Sequence, residues 1–420
     1  MTEYIRNILL RICSQPRSFE FISKSVNGLD PVETMQYLKE MEQLNELVQI
    51  NNMWCIKEVS VNETLALFPR DNNLLLQKYM GYFQFLKNPH PLDFEWRNSS
   101  FSLNRLIGRI TELVRPSEKI LFLGMPTLFA TAVKKDIPYK VRLVERNRPI
   151  IQGLNSINTD PNRFQIIEHD IFTVSPSVVS GHYCVVLDPP WYTPHFFSFM
   201  WLAANAIVPG GIVAISLPPI NTRPNIIEER LEWFSYCKEL GLCIETLEPQ
   251  HLQYTMPFFE YNALRTAGIT DILPFWRKGD LAIFRKTAQS EIQRPKDSRE
   301  ESLWIEREYK GSRIRVLKEK ANNDVSFSFQ SLVKGDILPT VSSRNVIRKQ
   351  ANVWTSGNRI FKCEGSQMII DTIDLLKSES PLTEKQKVVE EFLDMVTNLE
   401  QKEFQEYLDW IYYEMERQAN

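Results

Sequence analysis

The feature that most constrains the fold is a series of short, mainly apolar segments that alternate with segments of helical pattern. Five such runs of four residues lie at 120–123, 141–144, 164–167, 184–187 and 212–215. Strands that are apolar along most of their length are buried on both faces, which is typical of a parallel sheet covered by helices. The pattern therefore predicts an α/β fold with a doubly wound parallel sheet, completed by two further strands near 243–247 and 280–284.

The length and the local patterns predict several units. With 420 residues, the chain exceeds the roughly 100–200 residues of one ordinary domain. Three short helices, the last opening at Asp30-Pro31, precede a hairpin of 47–50 and 54–56, as in a winged helix. We therefore expect a winged-helix-like module at 1–60, a helical connector at 61–99, the α/β domain at 100–287, a basic linker and hairpin region at 288–362, and an acidic, mainly helical C-terminal region at 363–420.

The charge is close to neutral overall but uneven along the chain. The net charge is −3, so contact with nucleic acid needs a local basic patch. Residues 1–60 hold six Lys or Arg against eight Asp or Glu, which favours self-association or a protein partner over DNA binding. Residues 291–362 hold fifteen basic against nine acidic side chains, and 363–420 hold five against fourteen. We expect these two regions to face each other, and the basic region 291–362 is the candidate for nucleic-acid contact.

The C-terminal region carries apolar residues at helical spacing, which are expected to form core. Trp410, Tyr412 and Tyr413 are many aromatic residues for a terminal helix, so a helix that binds a protein partner is an alternative.

Cysteine usage and the N-terminus indicate a cytoplasmic protein. The six cysteines are far apart and form no C-x-x-C pair, so no metal site is expected. Cys184 lies within an apolar run, which fits a buried, reduced thiol. Residues 1–4 do not resemble the start of a signal peptide, and no apolar stretch is long enough for a membrane helix, so no membrane contact is expected.

The first three strand ends carry candidate ligands for an adenosine cofactor, because ligands of a doubly wound sheet bind beyond the carboxyl ends of its strands. Gly124 follows the first strand and lets the backbone approach a nucleotide closely. The alternative is that the glycine only eases the turn from strand to helix. Glu145 ends the second strand, 21 residues after Gly124. A carboxylate at this position can accept hydrogen bonds from both ribose hydroxyls; the alternative is that it merely faces solvent. Asp170 follows the third strand. It either accepts a hydrogen bond from an adenine amino group or caps the short segment that starts at Ile171.

The segment Asp188-Pro189-Pro190-Trp191-Tyr192 follows the fourth strand and predicts the catalytic centre. Its two prolines, Pro189 and Pro190, stiffen the loop. The Asp188 carboxylate and the Pro189 carbonyl can then accept both hydrogens of a substrate amino group and direct the nitrogen lone pair at an electrophile, so that Asp188 also borders the cofactor. Trp191 and Tyr192 offer aromatic faces to a planar substrate. The alternative is a rigid turn with a buried tryptophan.

Residues 100–287 resemble class I S-adenosylmethionine-dependent methyltransferases, and among them the amino methyltransferases with an Asp/Asn-Pro-Pro-aromatic motif. The segment 188–191 matches that motif fully, and Val-Pro-Gly-Gly at 208–211 is similar to the Lys-Pro-Gly-Gly turn of these enzymes. The resemblance implies a Rossmann-like sheet, S-adenosyl-L-methionine as cofactor, and methyl transfer to an amino nitrogen of a nucleobase in RNA or DNA. Trp191 would stack on the extruded base.

The order of the units also resembles the branched-chain polyamine synthases, which place a winged helix before such a domain and transfer aminopropyl groups. Met125-Pro126-Thr127 stands where that family has acidic residues, and Trp191 replaces another acid. The chain also departs from the methyltransferase pattern, since Gly124 lacks neighbouring glycines and Phe129 is large enough to crowd the cofactor loop. Two alternatives to an active methyltransferase therefore stay open: an aminopropyltransferase, and an inactive scaffold for protein assembly.

Overall fold

The computed structural model describes residues 1–57, 87–93, 95–297, 303–318, 326–342 and 345–419. Most of the predicted helical connector 61–99 lies outside these ranges. Its described part is a 3-10 turn at Pro91–Asp93 followed by a two-residue strand and the start of the next helix cap. A helix does not form in this part because Pro89 and Pro91 interrupt the backbone hydrogen bonds that it would need.

The described N-terminal unit consists of three helices and a small antiparallel sheet. These elements are α1 (Glu3–Ile12), α2 (Phe19–Ser25), α3 (Pro31–Gln43), β1 (Arg17–Ser18), β2 (Leu47–Ile50) and β3 (Met53–Ile56), with sheet order β1-β3-β2. Helix α3 begins where the sequence predicts, because the Asp30 carboxylate accepts a hydrogen bond from the backbone N–H of Val32 at 2.8 Å. Asn51 and Asn52, both at positive φ, form the predicted turn between β2 and β3. The winged-helix interpretation of this unit stays a prediction.

The central sheet has eight strands among the described residues. They are β4 (Arg97–Asn98), β5 (Lys119–Leu123), β6 (Lys140–Glu145), β7 (Phe164–Glu168), β8 (His182–Leu187), β9 (Ile207–Leu217), β10 (Leu242–Thr255) and β11 (Lys278–Lys286). Their order is β4-β10-β11-β9-β8-β5-β6-β7; β5 to β9 are parallel, and β11 is antiparallel to both of its neighbours. Every strand that the sequence predicted for this sheet is present, which confirms the α/β fold.

Helices cover both faces of this sheet. One face carries α4 (Ser100–Leu113), α5 (Pro126–Lys134) and α6 (Arg148–Ile157), and the other carries α7 (Pro176–Val179), α8 (Thr193–Ala206) and α9 (Ile226–Glu239). Helix α4 is capped by Ser99, whose Oγ accepts a hydrogen bond from the Ser102 backbone N–H at 3.3 Å. Since β5 lies between β6 and β8, the chain leaves β5 and β8 toward opposite sides, and a crevice is expected at their carboxyl ends.

The C-terminal unit contains a second sheet. Among the described residues it comprises β12 (Trp304–Tyr309), β13 (Ser312–Leu317), β14 (Ser328–Ser331), β15 (Val353–Thr355) and β16 (Ile360–Glu364), in the order β12-β13-β15-β16-β14. The predicted hairpin is β12 and β13, but β14 to β16 were not predicted. The predicted helices are α11 (Gln367–Lys377) and α12 (Glu384–Ala419), and both pack against this sheet.

Ion pairs join the basic and the acidic parts of the C-terminal unit. Arg307 lies 2.6 Å from Asp374, Lys310 lies 2.7 Å from Asp394, and Arg359 pairs with Glu403. The expectation that the two regions face each other is thus confirmed. Several positive charges of 291–362 are therefore compensated within the chain.

The end of α12 packs on the N-terminal unit together with α10 (Phe258–Thr266). Tyr407 donates a hydrogen bond to the Met256 carbonyl at 2.8 Å, and Trp410 lies against Tyr261 at a ring distance of 5.0 Å. Tyr413 is 61% exposed. Of the helices in the described ranges, none is both long and apolar enough to span a membrane.

Candidate active site

A cavity of about 670 Å³ lies beyond the carboxyl ends of β5, β6 and β8. Sites for small ligands usually have volumes of roughly 300–1,000 Å³. All residues that the sequence singled out line this cavity, namely Gly124, Glu145, Asp170 and residues 188–192. The fold thus brings the candidate cofactor and substrate residues together around one space, while their individual roles stay predictions.

Parts of the chain far from this sheet edge also form walls of the cavity. Asp30 and Glu33, at the start of α3, belong to the N-terminal unit, and residues 339–342 belong to the C-terminal unit. Residues 95–98 and 222–224 form further walls. Residues of all three units therefore surround one cavity.

Gly124 forms the turn between β5 and α5. Its φ of +64° lies in the left-handed region, which favours glycine. Its backbone N–H donates to the Val144 carbonyl at 3.2 Å, so the turn is tied to β6. Phe129 does not crowd this turn, because its side chain is buried against Phe164, with ring centroids 6.2 Å apart, on the face of the sheet covered by α5.

Glu145, at the end of β6, binds the backbone through one of its two carboxylate oxygens. Oε1 accepts hydrogen bonds from the backbone N–H groups of Arg146 and Asn147, each at 2.8 Å. No donor within the described residues binds Oε2. Burial raises the pKa of Glu145 to about 7. A desolvated carboxylate with one oxygen available is suited to accept hydrogen bonds from hydroxyl groups of a ligand.

Asp170 combines capping with an ion pair. Oδ1 accepts a hydrogen bond from the Phe172 backbone N–H at 2.9 Å, so the capping role considered from sequence is present. Oδ2 lies 3.4 Å from Nη1 of Arg146. His169 and Ile171 line the cavity on either side. The contact between Asp170 and an adenine amino group stays a prediction.

Asp188 is held by three side chains from three strands. Oδ1 accepts hydrogen bonds from Ser216 Oγ on β9 and from the Tyr254 hydroxyl on β10, the latter at 3.0 Å. Oδ2 accepts one from Asn98 Nδ2 on β4 at 3.1 Å. A carboxylate has about four acceptor positions, and these three hydrogen bonds fill three of them. The remaining position, on Oδ2, has no donor among the described residues.

The protonation states of this cluster follow from its surroundings. Burial raises the pKa of Asp188 to about 6, and the three hydrogen bonds oppose that rise in part. Burial and the neighbouring charge of Asp188 raise the pKa of Tyr254 well above its usual value. At neutral pH, Tyr254 therefore donates and Asp188 accepts.

Trp191 is fixed at one edge by a hydrogen bond. Its Nε1 donates to Ser216 Oγ at 2.9 Å, and its ring meets Tyr254 edge-on at 5.7 Å. Gly279 on β11 allows this packing, since a Cβ there would lie 3.1 Å from Trp191 Cζ2 and 3.2 Å from the Tyr254 ring. The indole still lines the cavity, so the loop does not close it.

The carbonyl groups of the two prolines in this loop differ in their hydrogen bonding. The Pro190 carbonyl accepts a hydrogen bond from the Tyr192 backbone N–H at 2.7 Å, which tightens the turn before α8. Among the described residues, no N–H or O–H group donates to the Pro189 carbonyl. Pro189 and Asp188 both line the cavity, and each has an acceptor position that no described residue fills.

Arg277 forms a rigid part of the wall. Its guanidinium lies over the rings of Trp96 and Trp276, at 4.6 and 4.7 Å, and pairs with Glu260 at 2.6 Å. Glu260 is only 2% exposed and also accepts a hydrogen bond from Trp96 Nε1 at 3.0 Å. Because Glu260 compensates the charge of Arg277, this wall adds little positive charge to the cavity.

The lining is acidic. Its described residues include seven Asp or Glu and four Arg, and the arginines pair with acids: Arg97 with Glu95, Arg146 with Asp170, Arg223 with Glu229, and Arg277 with Glu260. Some of this negative charge is compensated, because Asp93 and Asp170 also pair with arginines, and because burial raises the pKa of Asp30 and Glu33 and so favours their neutral forms. The cavity is thus better suited to a neutral or cationic ligand than to a polyanion.

Sequence reasoning did not find Asn98, Ser216 or Tyr254. Ser216 directly follows the predicted strand 212–215, so the rule that strand ends carry ligands would have identified it. Asn98 lies on the two-residue strand β4, which has no apolar run that would mark it in the sequence. Tyr254 lies at the end of β10, which continues past the predicted 243–247 through irregular pairing with β11 between Glu248 and Leu252.

Comparisons with known proteins give fold-level similarity. No family model matches the sequence, and no curated protein matches it. The branched-chain polyamine synthase of Thermus thermophilus, solved with N4-aminopropylspermidine and 5'-methylthioadenosine, has a TM-score of 0.54 and 12% identity; the match covers 70% of this chain and 91% of that one. A putative RNA methyltransferase of Pyrococcus horikoshii has a TM-score of 0.36 and 14% identity over 50% of this chain and 97% of that one. A putative S-adenosylmethionine-dependent methyltransferase of Listeria monocytogenes has a TM-score of 0.31 and 10% identity over 44% of this chain and 99% of that one.

Of these three similarities, the one to the polyamine synthase is high enough to compare folds, and its low identity limits it to the fold. A TM-score of 0.54 over 70% of this chain indicates a shared overall fold. The chain therefore has the mixed α/β, Rossmann-like fold that the sequence predicts.

Proposed function

We propose that the protein is an S-adenosylmethionine-dependent transferase that alkylates an amino nitrogen, with methyl transfer as the leading reaction. One observation carries this proposal: Asp188 and Pro189, each with an acceptor position that no described residue fills, line the same cavity as Glu145. An amine acceptor and an adenosyl donor would thus share one space. The inactive-scaffold alternative is less well supported, because the loop 188–192 does not fill the cavity.

The residues present fit an adenosyl cofactor. In this proposal, Oε2 of Glu145 accepts hydrogen bonds from ribose hydroxyl groups, and Gly124 leaves the end of β5 without a side chain. Ile171, Phe172 and Phe199 give the same part of the lining apolar surface for an adenine ring. When bound, S-adenosylmethionine would supply an electrophilic carbon on its sulfonium. The protein then contributes mainly position and charge.

The acceptor amine would be held by two oxygens of the loop. In this proposal, Asp188 accepts one hydrogen and the Pro189 carbonyl accepts the other, so the nitrogen lone pair points away from both. Asp188 acts in its ionised form, because a proton bound at the open position of Oδ2 would turn that acceptor into a donor. The carbon–nitrogen bond would form as the carbon–sulfur bond of the donor breaks, the neutral thioether would leave, and the proton lost by the amine would pass to Asp188 or to water, so no covalent enzyme intermediate is required.

The class of acceptor is the finer part of the proposal. An exocyclic amino group of a nucleobase in RNA or DNA would place its ring beside Trp191, as the Asp-Pro-Pro-Trp motif implies. Phosphates flanking the base would have to lie outside the acidic cavity. The basic region 291–362 is the candidate for them, but Arg307, Lys310 and Arg359 there are already paired with acids.

A second candidate is aminopropyl transfer to a cationic amine. The acidic lining favours it, since carboxylates such as Glu33 attract ammonium groups. The similarity in fold to a polyamine synthase is compatible with it. In that case the donor would be decarboxylated S-adenosylmethionine.

A transfer assay with two donors separates these candidates. The full chain is incubated with S-adenosylmethionine labelled in its methyl group, or with decarboxylated S-adenosylmethionine, and with total RNA, DNA or spermidine as acceptor. Methyl label in nucleic acid supports the leading proposal, and an aminopropylated spermidine supports the second. If neither donor binds in calorimetry and no product forms, the transferase proposal is wrong and the scaffold alternative is favoured.

A further inference from the structure

The hydrogen bonds on Asp188 come from residues that the Asp-Pro-Pro-Trp motif does not contain. We infer that Asn98, Ser216 and Tyr254 are positioning residues that fix the Asp188 carboxylate in one orientation and leave it a single acceptor site for the substrate amine. This inference rests on the proposed function for its catalytic meaning. Its structural content, the fixed orientation, can be tested separately.

The geometry limits which oxygen of Asp188 can bind substrate. Ser216 and Tyr254 both donate to Oδ1, which uses both acceptor positions of that atom. Asn98 uses one position of Oδ2. A substrate N–H therefore binds at Oδ2, beside the Asn98 amide, and a second N–H has to go to another acceptor such as the Pro189 carbonyl.

Ser216 connects the carboxylate to the indole. Its single hydroxyl hydrogen goes to Asp188, so its lone pairs accept from Trp191 Nε1 at 2.9 Å. The Tyr254 hydroxyl also lies 3.1 Å from Ser216 Oγ, which closes a compact cluster. The orientations of Asp188 and Trp191 are thus coupled through one hydroxyl group, although the two residues are three positions apart in the loop.

The cluster is assembled from distant elements. Asn98 and Tyr254 are cross-strand partners on β4 and β10, and Ser216 lies on β9. Tyr254 is the titratable group among the three donors to Asp188, and the charge of Arg277 acts on Tyr254. Since each donor stabilises the ionised carboxylate, removal of one raises the pKa of Asp188 above about 6 and leaves the side chain less well oriented.

The first experiment measures the carboxylate without any reaction. Protein labelled with carbon-13 at the aspartate carboxyl is titrated by NMR, and the Asp188 signal is identified by its loss in Asp188→Asn. We expect Tyr254→Phe and Ser216→Ala each to raise the pKa of Asp188 by about one unit. The control Tyr139→Phe removes a buried phenol that donates to the Val114 carbonyl at 3.0 Å elsewhere in the domain, and it should leave Asp188 unchanged. An unchanged pKa in both test variants overturns the inference.

The second experiment measures transfer. Tyr254→Phe and Ser216→Ala should lower kcat by on the order of tenfold and move the acid limb of the pH–rate profile to higher pH, with the affinity for S-adenosylmethionine unchanged. If the titration shifts but the wild-type protein transfers no group, the positioning stands and the proposed function fails. If the wild type transfers a group and the variants keep its kcat and pH profile, the positioning inference fails. If Tyr254→Phe does not fold, Ser216→Ala alone tests the positioning inference, because it is the smaller change.

Discussion

Asn98 and Tyr254 lie opposite each other on β4 and β10, and their side chains donate to different oxygens of one carboxylate. The edge strand β4 is only two residues long, yet it delivers Asn98 to Asp188. Motif residues 188–191 therefore depend on a strand pair that lies outside the motif.

Transfer should depend on pH through Asp188. Its pKa lies at about 6, above its usual value of 3.8, so the ionised acceptor is lost as the pH falls below about 6. We expect kcat/KM to decline about tenfold per pH unit on the acid side. Asp188→Asn should lower kcat by roughly 100-fold or more while S-adenosylmethionine still binds in calorimetry. A flat profile between pH 5 and 8 would contradict this role.

Replacement of Glu145 should have opposite effects on the binding of S-adenosylmethionine and on the stability of the free protein. Its pKa of about 7 in the fold exceeds the usual 4.5, so the stability that it contributes is present below pH 4.5 and is lost as the pH rises through about 7. At pH 8, Glu145→Gln should therefore stabilise the free protein by on the order of 1 kcal/mol, or roughly 2–4 °C in Tm. The same variant should weaken the binding of S-adenosylmethionine about tenfold.

A matched control for Glu145 is Glu168→Gln. Glu168 ends the neighbouring strand β7, where it is exposed and pairs with Arg148 at 2.6 Å. Exposed pairs contribute little, so this change should leave both Tm and cofactor affinity unchanged. If Glu168→Gln weakens the cofactor as much as Glu145→Gln does, Glu145 has no special role.

Gly279→Ala on β11 should disturb the loop 188–192. The added methyl group would lie 3.1 Å from Trp191 Cζ2 and 3.2 Å from the Tyr254 ring, so at least one ring has to move. We expect a loss of about 1–3 kcal/mol in unfolding free energy and a fall in kcat of at least roughly tenfold. Gly108→Ala in α4 is the control, since a Cβ there meets nothing within 4 Å. Equal activity of the two variants would show that the packing at Gly279 is not needed.

The contact between Asp93 and Arg313 should matter for stability. Arg313 Nη1 lies 2.6 Å from Asp93, and Arg313 is only 5% exposed. Burial alone would raise the pKa of Asp93, but Arg315 and Arg313 hold it below its usual value. Arg313→Ala should therefore lower the unfolding free energy by about 3 kcal/mol, measured with urea. Arg307→Ala removes a more exposed pair with Asp374 and should change it by less than about 1 kcal/mol.

The sequence predicts the central sheet well, because fully buried parallel strands leave a strong apolar signal, as at 184–187. The second sheet was mostly missed. Strands such as Ser328–Ser331 and Val353–Thr355 are short or polar, and they form through pairing with distant partners. Local pattern carries little information on such pairing.

The candidate site could be predicted as far as it follows the strand ends. Gly124, Glu145, Asp170 and Asp188 line the same cavity because parallel strands end at one edge. Asn98 and Tyr254 are absent from that prediction, since their role depends on the register of β4 with β10. Asp30 and Ser342 reach the cavity only through packing between units, which no local spacing encodes.

Since residues as far apart in sequence as Asp30 and Ser342 border one cavity, a ligand that contacts both acts as a non-covalent cross-link within the chain. Thermodynamic linkage then requires that binding of such a ligand raise the resistance of the contacted units to separation. Cofactor or substrate should accordingly protect the molecule from limited proteolysis at the joints between units. A fragment restricted to residues 100–287 should bind the same compound more weakly, because it lacks two of the surrounding walls.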